Sequence, residues 1–142
     1  MEEASGKVLI VRSGTELYAL DMTVVREVVY EPDITFLARH SGFIAGMCLW
    51  RDTQVPVADL GLFLGKVQPA GTGSVVITVN NGETTGILVE EVGSIVDIQP
   101  ASLIVVDNHL SRDDERVSQA FEYRDELVFI IESKAVIGSQ PH

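Results

Sequence analysis

The sequence predicts a mainly β chain, folded as two similar five-stranded barrels that pack against each other, with little helix. Its apolar runs are short, rich in Val and Ile, and bounded by Gly, Asn, Asp or Pro, which is typical of β-strands. Strands this short, with turn residues this frequent, favour small barrels over a parallel sheet. The first half of the chain also resembles the second, which indicates two copies of one unit. With 142 residues and 46% hydrophobic content, the chain can bury a core without a metal or a disulfide.

Ten strands follow one another along the chain. They are predicted at Val8–Arg12, Leu17–Leu20, Val28–Tyr30, Ala45–Trp50, Gln54–Ala58, Val75–Val79, Thr85–Val89, Ile95–Ile98, Val117–Tyr123 and Leu127–Ile131. Ser13–Gly14 and Asn80–Gly82 are predicted as tight hairpin turns, and the RDT and RDE segments at residues 51–53 and 124–126 as two more. Helix is confined to short turns predicted at Met22–Arg26, Leu60–Leu64 and Ser133–Ile137.

The internal repeat relates VLIVRSGTELYALDMTVVREVV in the first half to VVITVNNGETTGILVEEVGSIV in the second. At the predicted offset of 68 residues, Leu20 is matched with Leu88, and Val24 and Val28 with Val92 and Val96. Each copy is followed by a hairpin whose last strand is strongly apolar. The loose segment Lys66–Ser74 is the predicted seam between the copies, and Asp107–Arg116 is a predicted polar loop.

The charge balance excludes several classes of partner. The formal net charge is −11, of which residues 1–72 carry −3 and residues 73–142 carry −8. Such a surface repels a nucleic-acid backbone and an anionic membrane, whereas it attracts a protein with a basic patch. Direct membrane insertion is not expected, because no apolar run approaches the roughly 20 residues needed to span a bilayer. A single cysteine and an acidic start without a signal peptide predict a cytoplasmic protein.

The residue types that carry chemistry do not assemble into a recognisable centre. His40, His109 and His142 have no metal-ligand spacing, and Cys48 lies in an apolar strand that predicts a buried thiol. Asp59 ends a strand where a carboxylate can cap the next helical turn, and capping is a simpler role for it than catalysis. No phosphate-binding or nucleotide-binding motif is present. We therefore expect no enzymatic activity, no cofactor and no metal.

Four segments, in order and at matching distances, resemble the CheW-like domain family. GMCLWRDTQVPVADL (residues 46–60) is similar to the family pattern GxxNLRGxxVPVxDL, and YALDMTVVREVV, GILVEEVGSIVDI and VSQAFEYRDELVFIIESKAVI resemble its other segments. The resemblance spans roughly Lys7 to Ile137. It implies a single domain over residues 1–142, made of two SH3-like five-stranded barrels around a shared hydrophobic core. The barrel-forming repeats are expected at roughly 7–65 and 74–137, with strand exchange between them allowed.

The resemblance also implies a function, which is that of a scaffold or adaptor. Such an adaptor couples the cytoplasmic tip of a methyl-accepting chemoreceptor to the regulatory domain of a histidine autokinase, at membrane-associated receptor arrays. The family pattern assigns receptor binding to Arg51, Val25 and Glu27, and Trp50 and Asp52 complete the same exposed tip. It assigns kinase binding to Gly46. Core packing for Val25 and a strand bend at Gly46 stay open as alternatives.

Several residues depart from the family pattern. Leu49, Trp50 and Asp52 replace its Asn, Leu and turn Gly, and Gln119 and Phe121 replace two later glycines. These departures motivate a second hypothesis, a specialised adaptor of a gliding, twitching or pilus motility pathway that has lost one of the two usual partners. A third hypothesis, from another class, is a β-barrel protein that binds a small ligand.

Overall fold

The computed structural model describes residues 6–64, 73–105 and 117–131. Within them the chain is mostly strand, with one short α-helix and one 3₁₀ turn at Pro100–Ser102. The elements are β1 (Gly6–Ser13), β2 (Glu16–Asp21), β3 (Val25–Val29), β4 (Ile34–Ser41), β5 (Ile44–Trp50), β6 (Thr53–Asp59), α1 (Leu60–Phe63), β7 (Ser74–Asn80), β8 (Glu83–Val89), β9 (Glu91–Ile98), β10 (Ile104–Val105), β11 (Val117–Tyr123) and β12 (Glu126–Ile131).

These strands form two six-stranded sheets within the described residues. Sheet A has the order β10-β11-β12-β2-β1-β9, and sheet B the order β3-β7-β8-β6-β5-β4. The predicted mainly β, two-subdomain fold is confirmed, and each sheet gains one strand beyond the five that were expected. The added strands, β4 and β10, lie at sheet edges and are largely exposed, so they lack the dense apolar runs that revealed the others.

The two halves of the chain exchange their third strands. β3 from the first half pairs with β7, and β9 from the second half pairs with β1. Two parallel pairings complete the arrangement, because β6 lies beside β8 and β12 beside β2. Each sheet therefore contains strands from both halves, which fastens the two subdomains together through backbone hydrogen bonds as well as packing.

The repeat is real, but the two copies correspond in a register one residue away from the predicted one. The first hairpin closes at the Ser13–Glu16 pair and the second at the Asn80–Glu83 pair. An offset of 68 residues would place Gly82 opposite Gly14, whereas Asn81, at φ 54°, takes the position of Gly14, at φ 66°. Asn tolerates this left-handed conformation because its short side chain bonds locally.

The register matters because a one-residue shift moves every side chain to the opposite face of the sheet. Leu20 therefore corresponds to Ile87, since both lie in the core shared by the sheets, while Leu88 faces the interior of sheet B. The predicted match of Leu20 with Leu88 was wrong by one residue, as were the matches of Val24 and Val28 with Val92 and Val96.

Successive residues along the central strands point alternately into two different cores. Val8 and Ile10 of β1 face a cluster inside sheet A, and Leu9 and Val11 face the cluster shared between the sheets. A third cluster lies inside sheet B and includes Cys48. Strands that are buried on both faces explain the continuous Val and Ile runs of the sequence.

Two of the predicted helical turns lie within the described residues. Leu60–Leu64 is confirmed as α1, and Asp59 caps it by accepting a hydrogen bond from the Leu62 N–H at 3.1 Å. Met22–Arg26 is confirmed as a turn but not as a helix: the Val24 and Val25 N–H groups donate to the Asp21 and Met22 carbonyls at 3.3 and 3.2 Å, and β3 already begins at Val25. The third, at 133–137, lies outside the described residues, as do the predicted loop 107–116 and most of the seam at 66–74.

Candidate partner-binding site

The β5–β6 hairpin ends in a tight two-residue turn. Arg51 and Asp52 occupy it with φ of 49° and 64°, and the flanking Trp50 and Thr53 pair across the strands. Two successive positive φ values define a type I′ turn, whose twist suits an antiparallel hairpin. The predicted RDT turn is therefore confirmed, and it projects the Arg51 side chain, which is 73% exposed, away from the sheet.

The Glu27 carboxylate meets this turn from the edge strand β3. Its Oε1 accepts hydrogen bonds from the Trp50 Nε1–H at 3.0 Å and from Arg51 Nη2 at 3.3 Å. The Arg51 guanidinium also lies 4.8 Å from the centroid of the Trp50 ring. The fold thus brings together three of the predicted receptor-binding residues, Glu27, Trp50 and Arg51, which we call the tip cluster.

The other two predicted receptor-binding residues lie beside the tip cluster. Asp52 is exposed in the turn itself, and its role there is to adopt the left-handed backbone. Val25 is half-buried and packs against the shared core, with a bulge in β3 separating it from Glu27. The bulge places the intervening Arg26 out of register, so Val25 and Glu27 both remain paired to β7.

Gly46, the predicted kinase-binding residue, is buried and pairs with Phe36 on β4 and Val57 on β6. A Cβ at this position would lie 2.5 Å from the Thr35 carbonyl oxygen, which is too close for any side chain. The glycine therefore permits the close approach of β4 to β5.

In the β11–β12 hairpin, Gln119 replaces a glycine of the family pattern, and its Oε1 is buried without a hydrogen-bond partner in the described part of the chain.

An apolar groove with an acidic rim lies along β4, and it was missed from the sequence because β4 itself was not predicted. The groove has a volume of about 420 Å³, and Tyr30 (66% exposed) and Phe36 (52% exposed) are its large apolar residues. Its lining, which we call the β4 groove, consists of Tyr30, Glu31, Pro32, Asp33, Ile34, Phe36 and Gly73. The two carboxylates favour a partner that carries basic side chains.

The β11–β12 hairpin ends in a second tip of the same construction. Arg124 and Asp125 have φ of 51° and 65°, and the Arg124 guanidinium lies 5.2 Å from the centroid of the Tyr123 ring. The order aromatic–Arg–Asp at positions 50–52 is thus repeated at positions 123–125. The predicted RDE turn is confirmed. No ion pair to Arg124 is present among the described residues.

The described residues do not contain a cluster of side chains that could hold a metal ion. No group of three or more His, Cys, Asp or Glu side chains converges in them. Cys48 is buried, and its pKa is raised above the ordinary value of 9.0 by burial and, secondarily, by Asp33. A thiol in that state is a poor nucleophile. In the same ranges, no helix is long and apolar enough to cross a membrane.

Comparison with known proteins identifies the family. The model of the CheW-like domain family matches residues 7–140, so the chain belongs to this family. The fold is also similar to the crystal structure of the scaffolding protein TtCheW from Thermoanaerobacter tengcongensis, with a TM-score of 0.77 and 25% sequence identity. That match covers 92% of this chain and 86% of TtCheW. No curated protein sequence matches the chain significantly.

Proposed function

We propose that the chain is a non-enzymatic adaptor that couples the cytoplasmic tip of a chemoreceptor to the regulatory domain of a histidine autokinase. The observation that carries the proposal is the tip cluster, in which Glu27, Trp50 and Arg51 meet on an exposed hairpin turn. An Arg stacked on a Trp at an exposed site is typical of a protein-binding anchor.

Receptor binding is assigned to the tip cluster, with Asp52 and Val25 beside it. Arg51 offers donors that Glu27 does not use, because its guanidinium is planar and carries five N–H groups. Val25 contributes by packing: it holds β3 on the shared core and so keeps Glu27 at the tip.

Kinase binding is assigned to the β4 edge, where Gly46 acts indirectly. Gly46 itself is buried, but it sets the position of Phe36, its partner across the β4–β5 pair. The exposed rings of Phe36 and Tyr30, with Glu31 and Asp33 at the rim, fit an apolar surface flanked by Lys or Arg. Two separate surfaces on one domain allow the adaptor to change the kinase's activity through a coupling free energy between two contacts. An adaptor with this role works in the cytoplasm, at receptor arrays.

The test is co-sedimentation with the receptor tip and with the kinase regulatory domain from the same genome, each alone and then together. Arg51→Glu should weaken receptor binding by about 10-fold or more and leave kinase binding nearly unchanged. Phe36→Asp should do the reverse. Arg124→Glu, in the matching turn of the other hairpin, is the control and should affect neither. Failure of the folded wild-type protein to bind either partner would overturn the proposal.

The departures at Trp50 and Asp52 favour a second candidate, an adaptor of a gliding, twitching or pilus pathway that retains one partner. Trp50 makes an indole hydrogen bond that the Leu of the family pattern cannot make. In the same experiment, binding of the kinase domain but not of any receptor tip from the genome, or the converse, would favour this specialised adaptor.

A further inference from the structure

Trp50 holds two oppositely charged side chains at once. Its indole N–H donates to Glu27, and its ring face carries the Arg51 guanidinium at 4.8 Å, which itself donates to the same Glu27 oxygen. Three side chains thus close a ring of contacts on the protein surface. Glu27 and Trp50 are far apart in the sequence, so the ring also joins β3 to the β5–β6 turn.

Comparison with the second tip shows which contacts are particular to the Trp50, Arg51 and Glu27 side chains. The second tip repeats the turn and the stacked Arg, but Tyr123 has no N–H to donate, and Ser94 stands where the structural repeat places the counterpart of Glu27. Arg124 therefore has a ring beneath it, and no carboxylate among the described residues pairs with it to fix its orientation. Of the two tips, the first alone has the closed ring of contacts.

We propose that Trp50 is a positioning residue, which fixes Arg51 and Glu27 in one arrangement before the partner arrives, and that the receptor tip binds this preformed arrangement. The inference rests on the proposed function. A free Arg side chain loses much rotamer freedom when a partner immobilises it, so fixing it beforehand strengthens binding. Leu, the residue of the family pattern at this position, provides neither the hydrogen bond nor the aromatic face.

A double-mutant cycle between Trp50→Phe and Arg51→Ala tests whether Trp50 acts through Arg51. Trp50→Phe keeps a ring but removes the N–H, so it should weaken binding to the receptor tip by about 3- to 10-fold, the usual range for one lost hydrogen bond. In the Arg51→Ala background the same change should cost clearly less than it does in the wild type, because only the positioning of Glu27 is then lost. Tyr123→Phe, the matched control at the second tip, should leave binding unchanged.

Equal effects of Trp50→Phe in both backgrounds would show that Trp50 does not act through Arg51, which would overturn the inference. Wild-type affinity in Trp50→Phe would also overturn it, because Arg51 would then need no positioning. Thermal unfolding of each variant separates these results from misfolding.

A partner-free measurement keeps the inference distinct from the proposed function. In NMR spectra of the free protein, the Arg51 guanidinium should show slowed side-chain rotation, which Trp50→Phe reduces and Trp50→Leu reduces further. Arg124 should show fast rotation in all three proteins. If Arg51 rotates as freely as Arg124 in the wild type, the preformed arrangement does not exist. If it is restrained but no receptor tip binds, the proposed function fails while the restraint stands.

Discussion

The Trp50 indole donates a hydrogen bond to the Glu27 carboxylate at 3.0 Å, and through it the exposed turn of one hairpin is fastened to the edge strand β3. The two residues belong to different strands of sheet B that are not neighbours in the sheet order, so the curvature of the sheet must bring them together. This contact makes one surface from two separate sequence segments. It is the basis for treating Glu27, Trp50 and Arg51 as one recognition site.

Replacing the Asp of each hairpin turn with glycine should stabilise the protein. Asp52 and Asp125 both hold the left-handed conformation, which Asp tolerates better than most residues but less readily than glycine. Asp52→Gly and Asp125→Gly should therefore each raise the free energy of unfolding by about 0.5 kcal/mol, measured by urea denaturation. Ser94→Gly, at an exposed extended position in β9, is the control and should lower it. A loss of stability in both tip variants would contradict the type I′ assignment.

Gly46→Ala should destabilise the protein by about 1–3 kcal/mol, because the new methyl group would press on the Thr35 carbonyl and displace β4. Gly93→Ala is the comparison, since its Cβ would lie 3.3 Å from the Ile10 carbonyl oxygen, a less severe approach than the 2.5 Å at Gly46, and the change should cost less than Gly46→Ala. Hydrogen exchange should show faster exchange in β4 for Gly46→Ala alone. Unchanged protection of β4 would mean that Gly46 does not set its position.

Asp59→Ala should lower the free energy of unfolding by about 1–2 kcal/mol, because it removes the carboxylate that caps α1. Asp59→Asn should recover much of that loss, since Asn is an equally good cap. Asp21→Ala, which removes a similar bond to the Thr23 N–H at an exposed turn, should cost less. If thermal unfolding shows Asp59→Asn to be as damaging as Asp59→Ala, the cap assignment is wrong.

Because Cys48 is buried, the free energy of unfolding should decrease at alkaline pH. Burial raises the pKa of its thiol above the ordinary 9.0, so below that pH the thiol is neutral in both the folded and the unfolded state. As the pH rises past 9.0, the unfolded chain ionises first, and the folded state loses up to about 1.4 kcal/mol per pH unit.

The measurement compares the wild type with Cys48→Ala by denaturant unfolding at pH 7 and pH 10. The stability of the wild type relative to Cys48→Ala should decrease between the two, since the other titrating groups cancel. A constant difference across this range would show that the folded state does not disfavour the Cys48 thiolate.

The central strands could be predicted from the sequence because they are buried on both faces. β1, β7 and β8 pass between two apolar clusters, and their Val and Ile runs have no other explanation in a chain of this size. Edge strands carry no such signal. β4 was missed because its side chains are mostly exposed, and the β4 groove was missed with it.

The register and the tip cluster could not be derived from the pattern of residues. The match of Leu20 with Leu88 joined two apolar residues that point into different cores, and in the second hairpin Asn81 holds the left-handed position that Gly14 holds in the first. The resemblance to the CheW-like family pointed to Glu27 and Arg51 separately. Their shared hydrogen bonds with Trp50 depend on how β3 and the β5–β6 hairpin meet in space, which only the structure shows.

The decisive measurement is the affinity of the wild-type protein, and of its Arg51→Glu variant, for the receptor tip and the kinase regulatory domain, determined by titration calorimetry. We expect the wild type to bind both partners at once. We also expect Arg51→Glu to lose receptor binding by about 10-fold or more while it keeps the kinase domain. Unaltered receptor binding by a folded Arg51→Glu variant would contradict the assignment of this tip as the receptor-binding site.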